Sequence, residues 1–383
     1  MPDSLAVAWL LLPLGAALGW YVARSWPRPH EHGDDASPEY LTGLAALANQ
    51  DPDQAIAAFV KALEVDDETV ELHLTLGTLF RKRGEVDRAL RIHENLLARS
   101  DLKPMHQNQA RFELAQDFHK AGVMDRAESL FKGLVQQGMF LQPALENLLA
   151  LYEQVRDWRQ AIEVARQLQA VKSTSLQPLI AQYYCELAEE ARAKKDVAEA
   201  LRLAGRSLSE QAECVRASLL MGSLHEADED PAAAVKAYRR VPVQDPRYLP
   251  EVLAPMQRCF EALHDLASYW KFLEEAEEFW PQPAVTLAKA QLMRSEKVDP
   301  SEYLIQRLRE RPQWSGVQLL LESAADSGAQ PSGWLAPLRE VLGKLAQKQA
   351  RYQCRQCGFQ PQSLFWQCPS CKQWMTVTPR ETV

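Results

Sequence analysis

Four cysteines near the C-terminus carry the densest chemistry in this chain. Cys354 and Cys357 form a CRQC knuckle, ten residues intervene, and Cys368 and Cys371 form a CPSC knuckle. Each Cys-x-x-Cys puts two sulfurs on one tight turn, and two such turns facing each other supply the tetrahedral four-sulfur shell that zinc or a single iron ion accepts. Gly358 lets backbone amides turn toward a thiolate, and Pro369 fixes the second turn. A segment this small needs its ion to fold, and binding supplies on the order of 10 kcal/mol. Two disulfides are the alternative, disfavoured where the compartment is reducing. Phe359, Phe365, Trp366 and Trp374 are numerous enough to make a miniature core, or a docking face against the last helices.

Other reactive residues lack such an arrangement. Cys185, Cys214 and Cys259 lie singly in helical patterns and read as small core residues. His30, Glu31, His32, Asp34 and Asp35 have nothing to fix their geometry and read as hydrated linker. The run Glu274, Glu275, Glu277 and Glu278 reads as a solvated face. The sequence has no glycine-rich phosphate loop, nucleophile elbow or His-Glu-x-x-His, so catalysis has no residues to assign and the chain is expected not to be an enzyme. A net charge of −8 argues against a general nucleic-acid binder. That charge is uneven: Lys344, Lys348, Arg351, Arg355, Lys372 and Arg380 span a stretch with no acidic residue. The cysteine segment is therefore basic, suited to docking on acidic helices of the same chain or to anionic lipid or substrate.

The elements that must position these cysteines are helical, and they repeat. Gly43 and Gly77 lie thirty-four residues apart, as do Ala55 and Ala89, Ala127 and Ala161, and Ala200 and Ala234. Within a unit a small residue precedes an alanine by twelve positions: Gly43 and Ala55, Gly77 and Ala89, Ala115 and Ala127, Ala188 and Ala200, Gly222 and Ala234. These are the expected close-packing points between two helices, with Phe59, Phe131 and Tyr238 filling space between successive hairpins. Gly84 and Gly122 mark helix-to-helix turns. Leu149 occupies a position where a small residue is expected, and Ser207 falls late in its helix. Stretched spacings predict longer loops near Ser100 to Asn108 and Lys172 to Gln177. Beyond Pro242 the signature fades, but apolar periodicity predicts helices over Pro250 to Leu263, Leu266 to Phe279, Ala284 to Met293, Tyr303 to Leu308, Val317 to Ala325 and Leu335 to Leu345.

This pattern resembles the tetratricopeptide repeat, an antiparallel helix pair stacked into a right-handed solenoid whose first helices line a binding groove. Thr78, Arg81, Phe112, Gln116 and His119 are the groove candidates. The composition, 25% charged and 46% hydrophobic, fits such a folded body. Ahead of it, Ser4 to Ala23 is an uncharged, apolar stretch of twenty residues, long enough as a helix to cross a bilayer. No Lys or Arg precedes it, so an uncleaved anchor is expected rather than a signal peptide. Arg24 and Arg28 follow it, which puts the bulk of the chain on the cytoplasmic side. The expected organisation is an anchor over 1–24, a linker over 25–38, a helical solenoid over 39–345 and a metal module over 346–383. The fold class is all-α apart from that module.

The segment from Arg351 to Trp374 resembles rubredoxins and zinc ribbons, departing from rubredoxin in its short connector and in Lys372 where a second glycine is expected. Anchor, repeats and knuckle pair together resemble the lipopolysaccharide assembly protein B family over essentially the whole length. That resemblance implies a Gram-negative inner-membrane adaptor regulating lipopolysaccharide synthesis. The implied partners are a membrane-bound AAA metalloprotease, the deacetylase of the committed lipid A step and other synthetic enzymes. Cys354, Cys357, Cys368 and Cys371 carry over as ligands of one ion, iron by family expectation or zinc. A membrane-tethered electron-transfer protein and a nucleic-acid-binding zinc ribbon are the rival readings.

Overall fold

The computed structural model describes residues 70–100, 102–310, 314–326 and 350–380, together with Ala45. The expected membrane span, the linker, Phe59 and the helix over Leu335 to Leu345 lie outside the described residues. Among the described residues no helix is long and apolar enough to cross a membrane. The chain divides into two compact units, Met1–Val123 and Met124–Val383.

In the first unit, α1 (Val70–Arg83), α2 (Val86–Leu97) and α3 (Pro104–Ala121) pack in sequence. A Cβ added at Gly77 of α1 would strike the His93 ring of α2, so the small residue is what lets these helices approach. That imidazole is fully buried and its Nδ1 pairs with Asp117 of α3, also fully buried. The other Asp117 oxygen accepts from Arg81 at 2.8 Å, which keeps a buried carboxylate paired. The loop expected near Ser100 to Asn108 is shorter than its spacing suggested. Helix resumes at Pro104, whose fixed φ suits a first helical position.

The second unit begins with α4 (Met124–Gln136) and continues as hairpins: α5 (Leu141–Val155) with α6 (Trp158–Lys172), α7 (Gln177–Ala193) with α8 (Val197–Glu210), and α9 (Val215–Ala227) with α10 (Pro231–Tyr238). A short α11 (Val241–Gln244) and a 3-10 turn (Pro246–Tyr248) lead into α12 (Leu249–Ala262), α13 (Leu266–Phe279), α14 (Pro283–Ser295), α15 (Ser301–Glu310) and α16 (Trp314–Asp326). The helices predicted beyond Pro242 are therefore present wherever the structure describes them. Ala161, Ala200 and Ala234 are completely buried, as expected of contact points. Tyr238 belongs to a core cluster that runs into the next hairpin, as expected, and its ring also lies against Gly222 within its own hairpin, where a Cβ would collide with it. Its hydroxyl donates to Glu226 of the same α9.

Four turns within hairpins share one construction, which no glycine announces. At Arg156, Lys195, Glu229 and His264 the backbone is left-handed, with φ of 59°, 61°, 58° and 54°. The next residue is Asp each time, and its N–H reaches back across the turn, to the oxygens of Tyr152, Ala191, His225 and Phe260. This is the Schellman closure of a helix C-terminus. The same Asp then caps the following helix, its carboxylate accepting the N–H of Gln160, Glu199, Ala233 or Ser268 at 3.0–3.1 Å. Gly84 and Gly122 hold the left-handed place in the earlier turns.

Candidate metal centre

The cysteine module is a two-stranded antiparallel sheet with two knuckles. Tyr352–Cys354 (β1) pairs with Val377–Pro379 (β2), Cys354 lying opposite Val377. Cys354 and Cys368, the first cysteine of each knuckle, are buried with Tyr352 and Val377 in a small cluster. The two knuckles are near copies. Gly358 N–H donates to the Cys354 carbonyl and Lys372 N–H to the Cys368 carbonyl, both at 2.9 Å. Gly358 has φ of 77° and Lys372 of 59°, so the lysine adopts the conformation for which a glycine was expected.

All four sulfurs lie within 4.8 Å of one another. Cys354 and Cys371 Sγ are 3.8 Å apart, and Cys357 and Cys368 Sγ 3.7 Å. Four sulfurs about 2.3 Å from a central ion form a tetrahedron with edges of about 3.8 Å, so the spacing fits an ion. It is far too long for a disulfide, whose sulfurs sit about 2.05 Å apart. All seven cysteines of the chain are free.

The electrostatics point the same way. Burial pushes the Cys354 thiol up, but the Thr376 hydroxyl and the backbone N–H groups of Cys357 and Gln356 outweigh it and hold the group down at about 6. Cys371 is drawn down by the Gln373 amide, yet partial burial and the Cys368, Cys357 and Cys354 sulfurs push it up to about 11. Ionising one sulfur thus makes the next harder to ionise, a conflict that a divalent cation at the centre removes. With four protein sulfurs the shell is closed, the arrangement of structural rather than catalytic sites.

The module docks on the first helices of successive hairpins, where its aromatics had suggested a miniature core or a docking face against the last helices. Trp374 Nε1 donates to Glu153 of α5 at 2.9 Å. Its ring stands edge-on to Trp158 and Tyr183, centroids 6.1 and 5.9 Å away. Tyr183 on α7 donates to the same Glu153 carboxylate at 2.6 Å. Trp366 stacks on Tyr248 at 5.6 Å, and the Arg216 guanidinium of α9 lies 5.9 Å from the Trp366 ring. Tyr248 donates to the Val377 carbonyl at 3.2 Å, and Tyr352 to Glu251 of α12 at 2.8 Å. Burial, with the charge of Glu251 beside it, pushes the Tyr352 phenol up to about 12. Acidic helix residues are thus met by Trp and Tyr donors, while Arg351, Arg355, Lys372 and Arg380 remain exposed.

The groove candidates are partly brought together. Thr78 Oγ1 donates to Glu113 at 3.0 Å, and Arg81 bonds Glu113, Gln116 and Asp117. These side chains join α1 to α3. Phe112 is 8% exposed, which leaves little of its ring for a partner, and His119 is half-buried on α3. Residues missed from the sequence are the module's receivers, Glu153, Trp158, Tyr183, Arg216 and Tyr248. No local sequence pattern marked them, since their partners lie far along the chain.

Fold and site define an all-α tetratricopeptide-repeat protein bearing a C-terminal rubredoxin-type metal-binding module. The tetratricopeptide repeat model matches residues 40–104 and 185–248, and the rubredoxin metal binding domain model matches residues 352–379. The chain belongs to the lipopolysaccharide assembly protein B family: it is 34% identical over 387 residues to the Escherichia coli K12 protein of that name, covering 98% of both chains. The Haemophilus influenzae protein of the same name is also 34% identical, with 97% of each chain covered. A tetratricopeptide repeat protein from Parabacteroides merdae aligns with 72% of this chain and 99% of its own at 12% identity, with a TM-score of 0.32.

Proposed function

We propose that this chain is a non-catalytic adaptor in lipopolysaccharide assembly. It is anchored in the inner membrane by residues 1–24 and tethered through 25–38. The solenoid over 39–345 and the module over 346–383 hold its partners on the cytoplasmic side. The observation that carries this reading is the likeness to proteins named lipopolysaccharide assembly protein B along almost the entire chain, cysteine module included. A closed four-sulfur shell, docked on the first helices of successive hairpins, supports a structural role for the ion. Cys354, Cys357, Cys368 and Cys371 hold one ion, iron or zinc, and elemental analysis of purified protein decides between them. The ion supplies cross-linking of the two knuckles. The chain's own residues do the rest: the Trp374 and Trp366 rings fix the module against α5, α7 and α9.

In this reading the adaptor raises the effective concentration of the committed-step deacetylase beside a membrane-bound AAA metalloprotease. The test is a Cys354→Ala, Cys357→Ala double variant expressed in place of the native chain. Deacetylase abundance departs several-fold from normal while the variant still fractionates with membranes. Normal abundance at equal expression would sink the reading. Thiol labelling of single exposed cysteines in intact cells and in lysates tests the side of the membrane: labelling only after lysis is expected.

A further inference from the structure

Apart from the metal centre, two further cysteines meet inside the solenoid. Cys185 sits in the middle of α7 and Cys214 at the N-cap of α9, so they join consecutive hairpins. Both are completely buried, and their sulfurs are 4.0 Å apart. The sequence separated them by 29 positions and read each as a core residue.

Their surroundings are polar for a packing site. Gln182 Nε2 donates to Cys214 Sγ at 3.5 Å. Ser207 Oγ lies 3.3 Å from Cys185 Sγ and 3.4 Å from Cys214 Sγ, and also bonds the Ala181 carbonyl. The Ala217 N–H at the start of α9 points at the Cys214 sulfur, and Arg216 places a positive charge beside it. These groups distinguish the two sulfurs. Cys214 receives hydrogen bonds and is the better thiolate, its thiol drawn down to about 6 by the Cys185 thiol first, and also by Ser207, Ala217 and Arg216, against the opposing effect of burial. Cys185 is pushed well up, by burial first and by its cysteine neighbour. A nucleophilic thiolate next to a protonated thiol is the division of labour that disulfide formation requires.

We propose that Cys185 and Cys214 are an oxidisable pair, a modification site that a small hydroperoxide converts to a disulfide joining α7 to α9. In the first step the Cys214 thiolate attacks a peroxide oxygen of hydrogen peroxide. An S–O bond forms, the O–O bond breaks and hydroxide leaves, giving the sulfenic acid. In the second step the Cys185 sulfur attacks the Cys214 sulfur, the S–S bond forms, and the Cys185 proton leaves with the sulfenic oxygen as water. Two thiols lose two electrons and one peroxide gains them. Closure draws the sulfurs from 4.0 Å to about 2.05 Å. The consequence is local: a covalent clasp between the helices that carry Tyr183 and Arg216, two contacts of the metal module.

The test uses the full chain with its metal bound, treated with limiting hydrogen peroxide, quenched by an alkylating agent and mapped by peptide mass spectrometry without reduction. The expected product is the Cys185–Cys214 cross-linked peptide, two hydrogens lighter than its parts, appearing about tenfold faster than any oxidation of buried Cys259. A Cys185→Ser variant should instead accumulate a Cys214 sulfenic acid trapped by a 1,3-dione probe. Wild-type protein that loses Cys259 or metal-site thiols while Cys185 and Cys214 stay alkylatable after unfolding would overturn the proposal. So would a cross-link that forms only once the protein has unfolded. The wild-type map decides the question even if the variant folds poorly.

Discussion

The hairpin of α9 and α10 and the cysteine module hold their segments together by different means. In the hairpin the Tyr238 ring occupies the space left by Gly222, and the contact belongs to a large cluster that runs on through Tyr248, Tyr269 and Leu292. In the module the buried cluster is Tyr352, Cys354, Cys368 and Val377, and two of those four are metal ligands. Removing one apolar contact from the hairpin leaves many others, whereas removing the ion from the module leaves almost nothing of its interior. The module compensates by resting on the hairpins, through Trp374 on Glu153 and Trp366 on Tyr248. Cooperativity within the second unit should therefore be one-sided, with the module depending on the hairpins more than they depend on it.

The largest effect that sharpens this contrast is metal removal. Stripping the ion with a chelator withdraws on the order of 10 kcal/mol from the module. Backbone amides of 352–379 should lose hydrogen-exchange protection, and Trp366 and Trp374 emission should shift to the red. Far-UV circular dichroism should stay close to its starting value, because α4 to α14 keep their own core. Concerted loss of the helical signal would break the comparison by showing that the hairpins lean on the module.

A smaller effect tests the hairpin side. Gly222→Ala puts a methyl group into the Tyr238 ring and should cost about 1–3 kcal/mol, read as a lower denaturant midpoint with unchanged slope. Gly205→Ala is its control. Gly205 lies inside α8 with nothing within 4 Å of an added Cβ, so the same chemical change should stabilise by about 0.5–1 kcal/mol. Equal outcomes at the two sites would refute close approach as the reason for glycine at 222.

These sites also mark what the sequence made legible. Gly77, Gly222 and the buried alanines follow a fixed spacing, because a helix pair of constant geometry demands a small residue at the same place in each repeat. The cysteine knuckles were legible for a similar reason, since the ligand geometry is set within four residues. The turns were half legible. Glycine at 84 and 122 announced two of them, but Arg156, Lys195, Glu229 and His264 adopt the same left-handed conformation, and only the Asp that follows gives a local sign. The docking of the module was not legible at all. Tyr352 meets Glu251 across 101 positions and Trp374 meets Glu153 across 221, and no local pattern encodes such pairings.

That docking gives the next prediction. Trp374→Phe keeps an aromatic ring for Trp158 and Tyr183 but removes the N–H that Glu153 accepts. A hydrogen bond to a partly buried carboxylate is worth about 1.5–3 kcal/mol, and the exposure of this one places it near the lower figure. Amide exchange in the module should quicken by about tenfold with metal content unchanged. Loss of the metal in this variant would mean that docking and ion binding are one event, and the two regions could no longer be treated as separable.

The smallest expected effect lies within the module, between its two knuckles. Gly358 and Lys372 occupy equivalent places, each donating its N–H to the carbonyl of the first cysteine at 2.9 Å, and both are left-handed. For a residue with a Cβ this conformation costs about 1 kcal/mol. Glycine escapes that cost but loses more conformational freedom on folding, which returns about 0.5 kcal/mol of the gain. Lys372→Gly should therefore stabilise the module by about 0.5 kcal/mol, and Gly358→Ala, with nothing within 4 Å of its added Cβ, should weaken it by a similar amount. Chelator competition at fixed pH measures both as opposite displacements of the metal-release midpoint. Displacements of the same sign would mean that the Lys372 side chain stabilises the site by some other contact, and that the two knuckles, alike in backbone, are not equivalent in energy.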